Sequence, residues 1–292
     1  MKGIVLAGGS GTRLFPVTKA LSKHLLPLGG KPLIYYALSV LMLADIKEII
    51  LICNKADLAN YQKLLGDGSK LGISIEYVIQ PQPKGIAQAF LLAEEQIVDS
   101  NVALILGDNL FYGHGFSDQL QKAVSQSTGA TCFGYRVGNP ECFGVFGFDE
   151  SGRVNSVEEK PAKPKSNYAV TGLYFYDSQV VSFAKELSPS ARGELEITDI
   201  NRRYLEEGQL RVELLGRGFA WLDTGTHKSL MDAGIFINAI EARQGVKVAC
   251  LEELAYRKGW ITADSLKESA RELRHSDYGA YLHQLISEIT QS

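Results

Sequence analysis

KGIVLAGGSGTRLFPVTKALSKHLLP, residues 2–27, begins as a short apolar run and breaks into glycines. Lys2 to Ala7 reads as a buried strand, apolar and bounded by glycine. Gly8, Gly9 and Gly11 follow, with Ser10 and Thr12 as hydroxyl donors and Arg13 and then Lys23 as cations. A glycine-rich turn after a parallel strand bares its backbone N–H groups, and phosphates can approach them closely. Arg13 adds a planar fork suited to phosphate oxygens. In an open α/β sheet, ligands bind at the carboxyl ends of the strands, where this loop belongs. Two familiar phosphate loops are excluded. No GxxxxGK[ST] run occurs, and Leu14 stands where GxGxxG needs its third glycine. The same glycines would also suit a tight turn without a ligand; Arg13 and Lys23 turn the reading toward polyphosphate.

Outward from this loop, strands and helices alternate. A helix is expected from Pro32, a favourable first helical position, to about Ala44. Strands are expected over Glu48–Cys53, Ile75–Ile79 and Val102–Leu106, with a helix over Ala87–Ile97 between the last two. This alternation predicts βαβ units and a mostly parallel sheet with helices on both faces. Near residue 130 the texture changes. Short strand-like runs at Thr131–Val137, Val145–Asp149, Arg153–Glu158 and Tyr168–Tyr176 predict an antiparallel or mixed section. Helices return at Ser178–Leu187, Ile197–Glu207 and Thr226–Arg243, and two amphipathic ones follow at Asp264–Leu273 and Tyr278–Ile289. The simplest division is one α/β domain over 1–243, with halves meeting near residue 130, and a helical appendage over 244–292.

Composition narrows the function classes. With 45% hydrophobic and 22% charged residues, the chain is an ordinary globular one. A net charge of −3 gives no basic excess for nucleic acid and no polybasic tail for a membrane surface. Cys53, Cys132, Cys142 and Cys250 are scattered, with no CxxC pair or zinc spacing, which suits reduced thiols and a reducing compartment. The run Ile4–Ala7 is too short for a signal peptide, and Leu33–Ile46 is too short to span a bilayer. A cytoplasmic protein is therefore expected.

Four further stretches carry chemistry. Asp108, just after an apolar strand, belongs at the same sheet edge as the glycine loop; the alternative is a turn cap. Asp223, in WLDTG, is a second candidate carboxylate. Two such groups converging near a polyphosphate would suit Mg²⁺, with phosphate and water completing its octahedron. Glu158-Glu159-Lys160-Pro161 could serve hydroxyls and a phosphate on one substrate, or be a solvated strand end. Ala191–Glu196 (ARGELE) could be no more than the loop leading into a helix. The five histidines form no ligand pair, and no GxSxG is present.

LAGGSGTRL, SKHLLP, QPQPKGIAQAF, LGDNLFYG, EEKP, SNYAVTGLYFYD, ARGELEITDIN and LLGRGFAWLDTGTH occur in one order along residues 1–260. Together they resemble the sugar-1-phosphate nucleotidylyltransferases, and QPQPKGIAQAF, ARGELEITDIN and GRGFAWLDTGTH resemble the thymidylyl-transferring type. The resemblance implies a three-layer α/β/α sandwich with a mostly parallel mixed sheet, Rossmann-like, plus C-terminal helices. Residues 1–130 would be its nucleotide half and 131–243 its sugar-phosphate half. It implies that Leu6, Gly8, Gly9, Gly11, Thr12 and Arg13 cradle dTTP and that Lys23 reaches its phosphates. Gln80 and Gly85 would read the thymine edge. Asp108, also a nucleotide contact, and Asp223 would hold Mg²⁺. Lys160 and Arg192 would grip the sugar phosphate, and Gly144, Glu159, Val170 and Tyr174 would meet the hexose. It further implies a homotetramer, and a dTDP-sugar end product as feedback inhibitor at Tyr112, Gly113, Cys250, Glu253 and Arg257.

The reaction so implied is Mg²⁺-dependent nucleotidyl transfer from dTTP to α-D-glucose 1-phosphate, giving dTDP-glucose and pyrophosphate. It is an early step toward deoxysugars of the dTDP-rhamnose type for cell-surface polysaccharide. An amide at Gln80 can donate and accept together, matching the thymine edge. Uracil differs by one methyl, worth about 10–200-fold, so UTP is expected as a poorer second substrate. The chain departs from the family at His24, where glutamine is usual, and at Cys142 and Gly147, beside the expected hexose pocket. A catalytically silent binding module would lack Asp108 or Arg13, and both are present. A nicotinamide oxidoreductase would want a third glycine and an acid where Cys53-Asn54 stands.

Overall fold

The computed structural model describes residues 1–291. β1 (Lys2–Ala7) is followed by a two-residue ribbon, β2 (Pro27–Leu28) and β3 (Lys31–Pro32), and then by α1 (Ile34–Leu43). Pro32 lies in that ribbon, so the helix expected from it begins two residues later. β4 (Glu48–Cys53), α2 (Leu58–Leu65) and β5 (Ser74–Ile79) complete the first crossovers. The helix expected over 87–97 is two short ones, α3 (Gln88–Leu92) and α4 (Glu94–Ile97), separated at Ala93. β6 (Val102–Leu106), β7 (Asn109–Tyr112) and α5 (Phe116–Val124) come next. The second half supplies β8 (Ala130–Arg136), β9 (Gly144–Phe148), β10 (Val154–Glu159), β11 (Tyr168–Tyr176), α6 (Val180–Glu186), α7 (Ile197–Glu206), β12 (Leu210–Leu215) and β13 (Ala220–Asp223). α8 (His227–Gln244), α9 (Leu251–Arg257), α10 (Ala263–Glu272) and α11 (Asp277–Gln291) end the chain.

β1, β4, β5 and β6 are mutually parallel, with β1 between β4 and β6. β11 joins β6 antiparallel, and one edge of β11 is covered along most of its length by β8. Its other edge is shared between β6 and, at Ala169, β9. β12 pairs parallel to β8, and the nine strands form one mixed sheet.

The strands are apolar on both faces, because each face is covered. Val5, Ile49, Leu51 and Cys53 point into a core with α1, α2, α5 and α9. Ile4, Ile50 and Ile52 point the other way, against α3, α4, α6 and α7. Period-two alternation thus feeds two helical layers, giving the three-layer sandwich. A third cluster packs Ala233 and Ile237 of α8 on Leu28, Leu33, Tyr36 and Leu110. α10 and α11 close around Cys250 with Leu266, Ala270, Tyr278, Leu282 and Leu285. Among the described residues, no helix is long and apolar enough to cross a membrane.

Candidate active site

Parallel pairing sets Leu6 beside Leu106, so the glycine loop after β1 and Asp108 after β6 emerge at one sheet edge. The N–H of Gly107 donates to the Leu6 carbonyl at 2.9 Å and fixes that alignment. The loop is braced by Thr18, whose hydroxyl donates to the Gly11 carbonyl at 2.7 Å. Asp223 is far away in sequence but near in space. β13 pairs antiparallel with β7, with Asp223 opposite Asn109. Thr224 closes the junction, donating its hydroxyl to the Asp108 carbonyl at 2.8 Å. The loop then enters α8 at once, capped by Thr226, whose hydroxyl oxygen accepts from the Ser229 N–H at 3.1 Å.

The electrostatics follow. Asp108 is buried, which pushes its carboxyl up, but the Lys23 ammonium above all, helped by a 3.0 Å hydrogen bond from the Asn109 amide, outweighs this and holds it below the usual carboxylate range. Asp223 is raised above the ordinary carboxylate range by burial and then by the Asp108 charge. Two carboxylates facing each other, one already resisting ionisation, form a donor set that a divalent cation would relieve. No group of three or more His, Cys, Asp or Glu side chains suited to a metal occurs among the described residues. Phosphate and water would therefore supply the remaining ligands. Arg13 completes the cluster. A Cβ on Gly225 would stand 2.8 Å from its Nη2 and 3.0 Å from Asp223 Oδ1, so only glycine leaves the guanidinium that approach.

Two adjoining cavities meet here. One, of about 360 Å³, is lined by Leu6, Gly9, Gly11, Thr12, Gln80 and Gly85 among others. The other, of about 230 Å³, is lined by Gly144, Glu159, Lys160, Val170, Tyr174 and Trp221 among others. Arg13, Ile86, Leu106 and Asp108 line both. Gly8 sits beneath the first cavity against Gln80. Gly85, at φ +99°, has no room for a side chain, since a Cβ would come within 2.3 Å of the Leu195 carbonyl. In the second cavity Glu159 accepts from Thr198 at 2.6 Å. Lys160 holds a left-handed backbone, φ +43°, and its N–H donates to the Phe143 carbonyl at 3.0 Å. A non-glycine residue in that region is strained, a cost often found at functional sites.

Several expected residues sit differently from the simplest picture. Arg192 lines neither cavity; Glu196 holds it at 2.8 Å, Glu159 at 3.2 Å and Glu194 at 3.4 Å. It is thus poised at the rim, beside the Glu159 that lines the second cavity. His24 lines the first cavity, as expected of a nucleotide contact, but not as an ionisable ring. It is buried, its Nδ1 lies 3.0 Å from Ser22 Oγ, and burial drives its pKa down to about 3. Cys142 lines the second cavity, but Gly147 does not; it backs onto Ser156. Tyr112 and Gly113 line a separate cavity of about 420 Å³, with Lys247, Val248 and Leu254. Cys250 is 2% exposed beneath the C-terminal helices and outside that lining. Glu253 is paired with Arg257 at 2.7 Å and accepts from Tyr281.

The residues that sequence reasoning passed over are those that orient others. Asn109 donates to Asp108, while its oxygen accepts from Trp221 Nε1 at 2.6 Å and the Gly172 N–H at 3.1 Å. Its place in LGDN was visible; its buried partners were not.

The glycine loop and Lys23 line the first cavity and Asp223 the second, and Arg13 and Asp108 stand where the two adjoin. The chain belongs to the nucleotidyl transferase family, whose sequence model matches residues 2–239, and within it to the glucose-1-phosphate thymidylyltransferases. It is 57% identical to the glucose-1-phosphate thymidylyltransferase of Neisseria meningitidis over 286 residues, covering 98% of this chain and 99% of that one. Identity to the Mycolicibacterium smegmatis glucose-1-phosphate thymidylyltransferase is 53%, with 98% and 99% covered. Among solved structures, a Bacillus anthracis protein assigned as a glucose-1-phosphate thymidylyltransferase, crystallised with sucrose, is 44% identical. It aligns with a TM-score of 0.76 over 82% of this chain and 95% of that one. A UDP-glucose pyrophosphorylase complexed with UDP-glucose shares the fold at 23% identity and a TM-score of 0.71, over 83% and 98%.

Proposed function

We propose that the protein transfers a thymidylyl group from dTTP to α-D-glucose 1-phosphate, releasing pyrophosphate and dTDP-glucose. The observation that carries this reading is the pair of adjoining cavities that share Arg13 and Asp108. The triphosphate occupies the glycine-loop cavity, with the base against Gln80 and Gly85. The hexose occupies the second cavity, against Gly144, Glu159, Val170 and Tyr174. The α-phosphorus then lies at the shared wall.

The nucleophile is a phosphate oxygen of the sugar phosphate, already anionic, so no general base is needed. It attacks the α-phosphorus in line, and the bond to the bridging oxygen of pyrophosphate breaks. The difficulty is the approach of two polyanions, and positioned cations can supply most of the acceleration. Arg13 and Lys23 face the triphosphate; Lys160 and Arg192 draw in the sugar phosphate. Lys23 is paired with Asp108 in the free protein, which keeps an otherwise buried carboxylate compensated. Enzymes of this family typically use a divalent metal. Asp108 and Asp223 would hold Mg²⁺ here, and the ion, when bound, neutralises charge on the phosphate oxygens. Asn109 keeps the Asp108 carboxylate oriented.

The same reading includes a homotetramer in the cytoplasm, serving dTDP-deoxysugar synthesis, with a dTDP-sugar inhibitor seated near Tyr112 and Gly113. The cavity beside these two residues supports the last point. The test is pyrophosphate release with Mg²⁺, using dTTP, UTP, ATP and GTP against glucose, galactose and glucosamine 1-phosphates. Release that needs dTTP and glucose 1-phosphate, with UTP second, is the expected result. Turnover preferring ATP or GTP, or none with any pair, would overturn it.

A further inference from the structure

An amide side chain reads a base only if its two ends are told apart. Gln80 is 3% exposed and lines the glycine-loop cavity, but a free carboxamide can rotate by half a turn and exchange oxygen for nitrogen. The structure removes that freedom through a relay. The backbone N–H of Lys84 can only donate, and it meets one atom of the Gln88 amide at 2.9 Å. That atom must be oxygen, Oε1. The same Oε1 lies 2.9 Å from the nearer amide atom of Gln80, which must therefore be the donor, Nε2. A flipped Gln80 would set oxygen against oxygen. Gln80 Oε1 is consequently turned the other way, over Gly8, where a Cβ would lie within 2.0 Å of it.

The starting point of the relay is itself anchored. The Lys84 carbonyl accepts from the Leu195 N–H at 2.7 Å, and the Ala87 N–H donates to the Leu195 carbonyl at 3.2 Å. Lys84, whose N–H orients Gln88, is thus tied through its own carbonyl to the chain beyond Arg192. Gln88 does not line the cavity.

We propose that Gln88 determines base choice: by taking one Nε2 hydrogen of Gln80, it presents Oε1 as an acceptor and leaves the second Nε2 hydrogen as a donor. This inference rests on Gln80 being the base-reading residue. An acceptor beside a donor matches the N3–H and O4 of thymine or uracil. Cytosine is the same size and carries the inverse pattern, a lone pair at N3 and an amino group at C4. It would face Oε1 lone pair to lone pair. An unrestrained Gln80 could turn and accept it. Gln88 is a positioning residue, acting through Gln80.

The experiment compares kcat/KM for dTTP and dCTP in the wild type, Gln88→Leu, Gln88→Glu and Gln80→Ala. A site built to hydrogen-bond its substrate rejects the unmatched analogue by about 10⁴-fold or more. Gln88→Leu should reduce the dTTP:dCTP ratio by at least about tenfold. Gln88→Glu, which keeps an oxygen acceptor at the same distance, should hold the ratio within a few-fold. Each ratio is internal to one preparation, so a smaller folded fraction lowers both rates and leaves the ratio unchanged. A Gln88→Leu ratio equal to wild type, alongside a collapsed ratio in Gln80→Ala, would overturn the relay while keeping Gln80 as the reader. A wild-type ratio in Gln80→Ala would instead remove the base-reading assignment beneath it.

Discussion

Replacing Asn109 by alanine removes one side chain and leaves three groups without it. Its oxygen accepts from the Trp221 indole at 2.6 Å and the Gly172 N–H at 3.1 Å, and its nitrogen donates to Asp108 at 3.0 Å. An orphaned buried donor costs about 1–3 kcal/mol, and two give a loss of about 2–6 kcal/mol. Trp221 is 7% exposed and Gly172 is buried, but both line the second cavity, so water entering the space the amide leaves sets the loss toward the lower end of the range. At about 2 °C per kcal/mol for a chain of this size, Tm should fall by roughly 4–12 °C. Asn109→Asp separates this structural duty from the catalytic one. It keeps an acceptor for both N–H groups but places a second carboxylate about 3 Å from Asp108. Repulsion at that range is about 4 kcal/mol or more at an effective dielectric of 20. One of the two acids then keeps its proton and the pair shares it, so Asp108 no longer stands as a full, independently held anion. Asn109→Asp should therefore lose turnover beyond its loss of folded protein. Scanning calorimetry and pyrophosphate release on both variants make the comparison. An alanine variant that melts within about 1 °C of wild type would refute the claim that the two N–H groups depend on Asn109.

Asp108→Asn and Arg13→Ala should each lose on the order of 10²–10³ in kcat while remaining folded by circular dichroism, since each removes one electrostatic clamp; near-normal turnover in both would contradict the site. Asp223 is held above its ordinary pKa, so its folded-state charge costs stability at neutral pH, and Asp223→Asn should raise the metal-free Tm while losing turnover. Added Mg²⁺ should raise the wild-type Tm but not that of Asp223→Asn; a lowered metal-free Tm would count against the repulsion argument. His24 titrates at about 3 when folded and at 6.5 in its ordinary state, so its contribution is complete above 6.5 and is lost as pH falls toward 3. At pH 5 the loss is about 2 kcal/mol, and His24→Gln should flatten the dependence of Tm on pH between 6.5 and 5; an unchanged slope would show that the ring is not held neutral.

What could be read from the sequence follows what was local. β1, β4, β6 and β11 are apolar runs bounded by turn residues, and their limits lay within a residue or so of the structure. The glycine loop and Asp108 were placed at one edge because parallel strands end together. Asp223 was recognisable only as a candidate, since no pattern near residue 223 reveals that β13 pairs with β7 across more than a hundred residues. The short β7 and β13 carry little periodic signal, and α2, α5 and α9 are brief enough that tertiary packing decides them. Gly147 was misplaced for a related reason. One residue along a strand changes the face, so it meets Ser156 while Gly144, an odd step away, faces the cavity. The carboxylate cage around Arg192 was in plain sight as ARGELE; what the sequence hides is that Glu159 comes to meet it.

Leu195 joins two duties that the sequence keeps apart by about a hundred residues. Its backbone holds Lys84 and Ala87, and through Lys84 it fixes Gln88 and Gln80. Three residues before it, Arg192 is drawn to Glu159 at the wall of the second cavity. Gly85 lies so close under Leu195 that the two segments cannot separate without breaking those bonds or opening the contact. A sugar phosphate that drew Arg192 from its carboxylates would therefore pull on Lys84, the residue whose N–H orients the relay to the base-reading amide. Gly85→Ala tests the linkage. The methyl would have to displace the Leu195 carbonyl and would also force a side chain into a left-handed φ. Both consequences fall on one junction, so KM should rise for dTTP and for the sugar phosphate together. A rise confined to dTTP would show that the two loops share a contact without sharing a function.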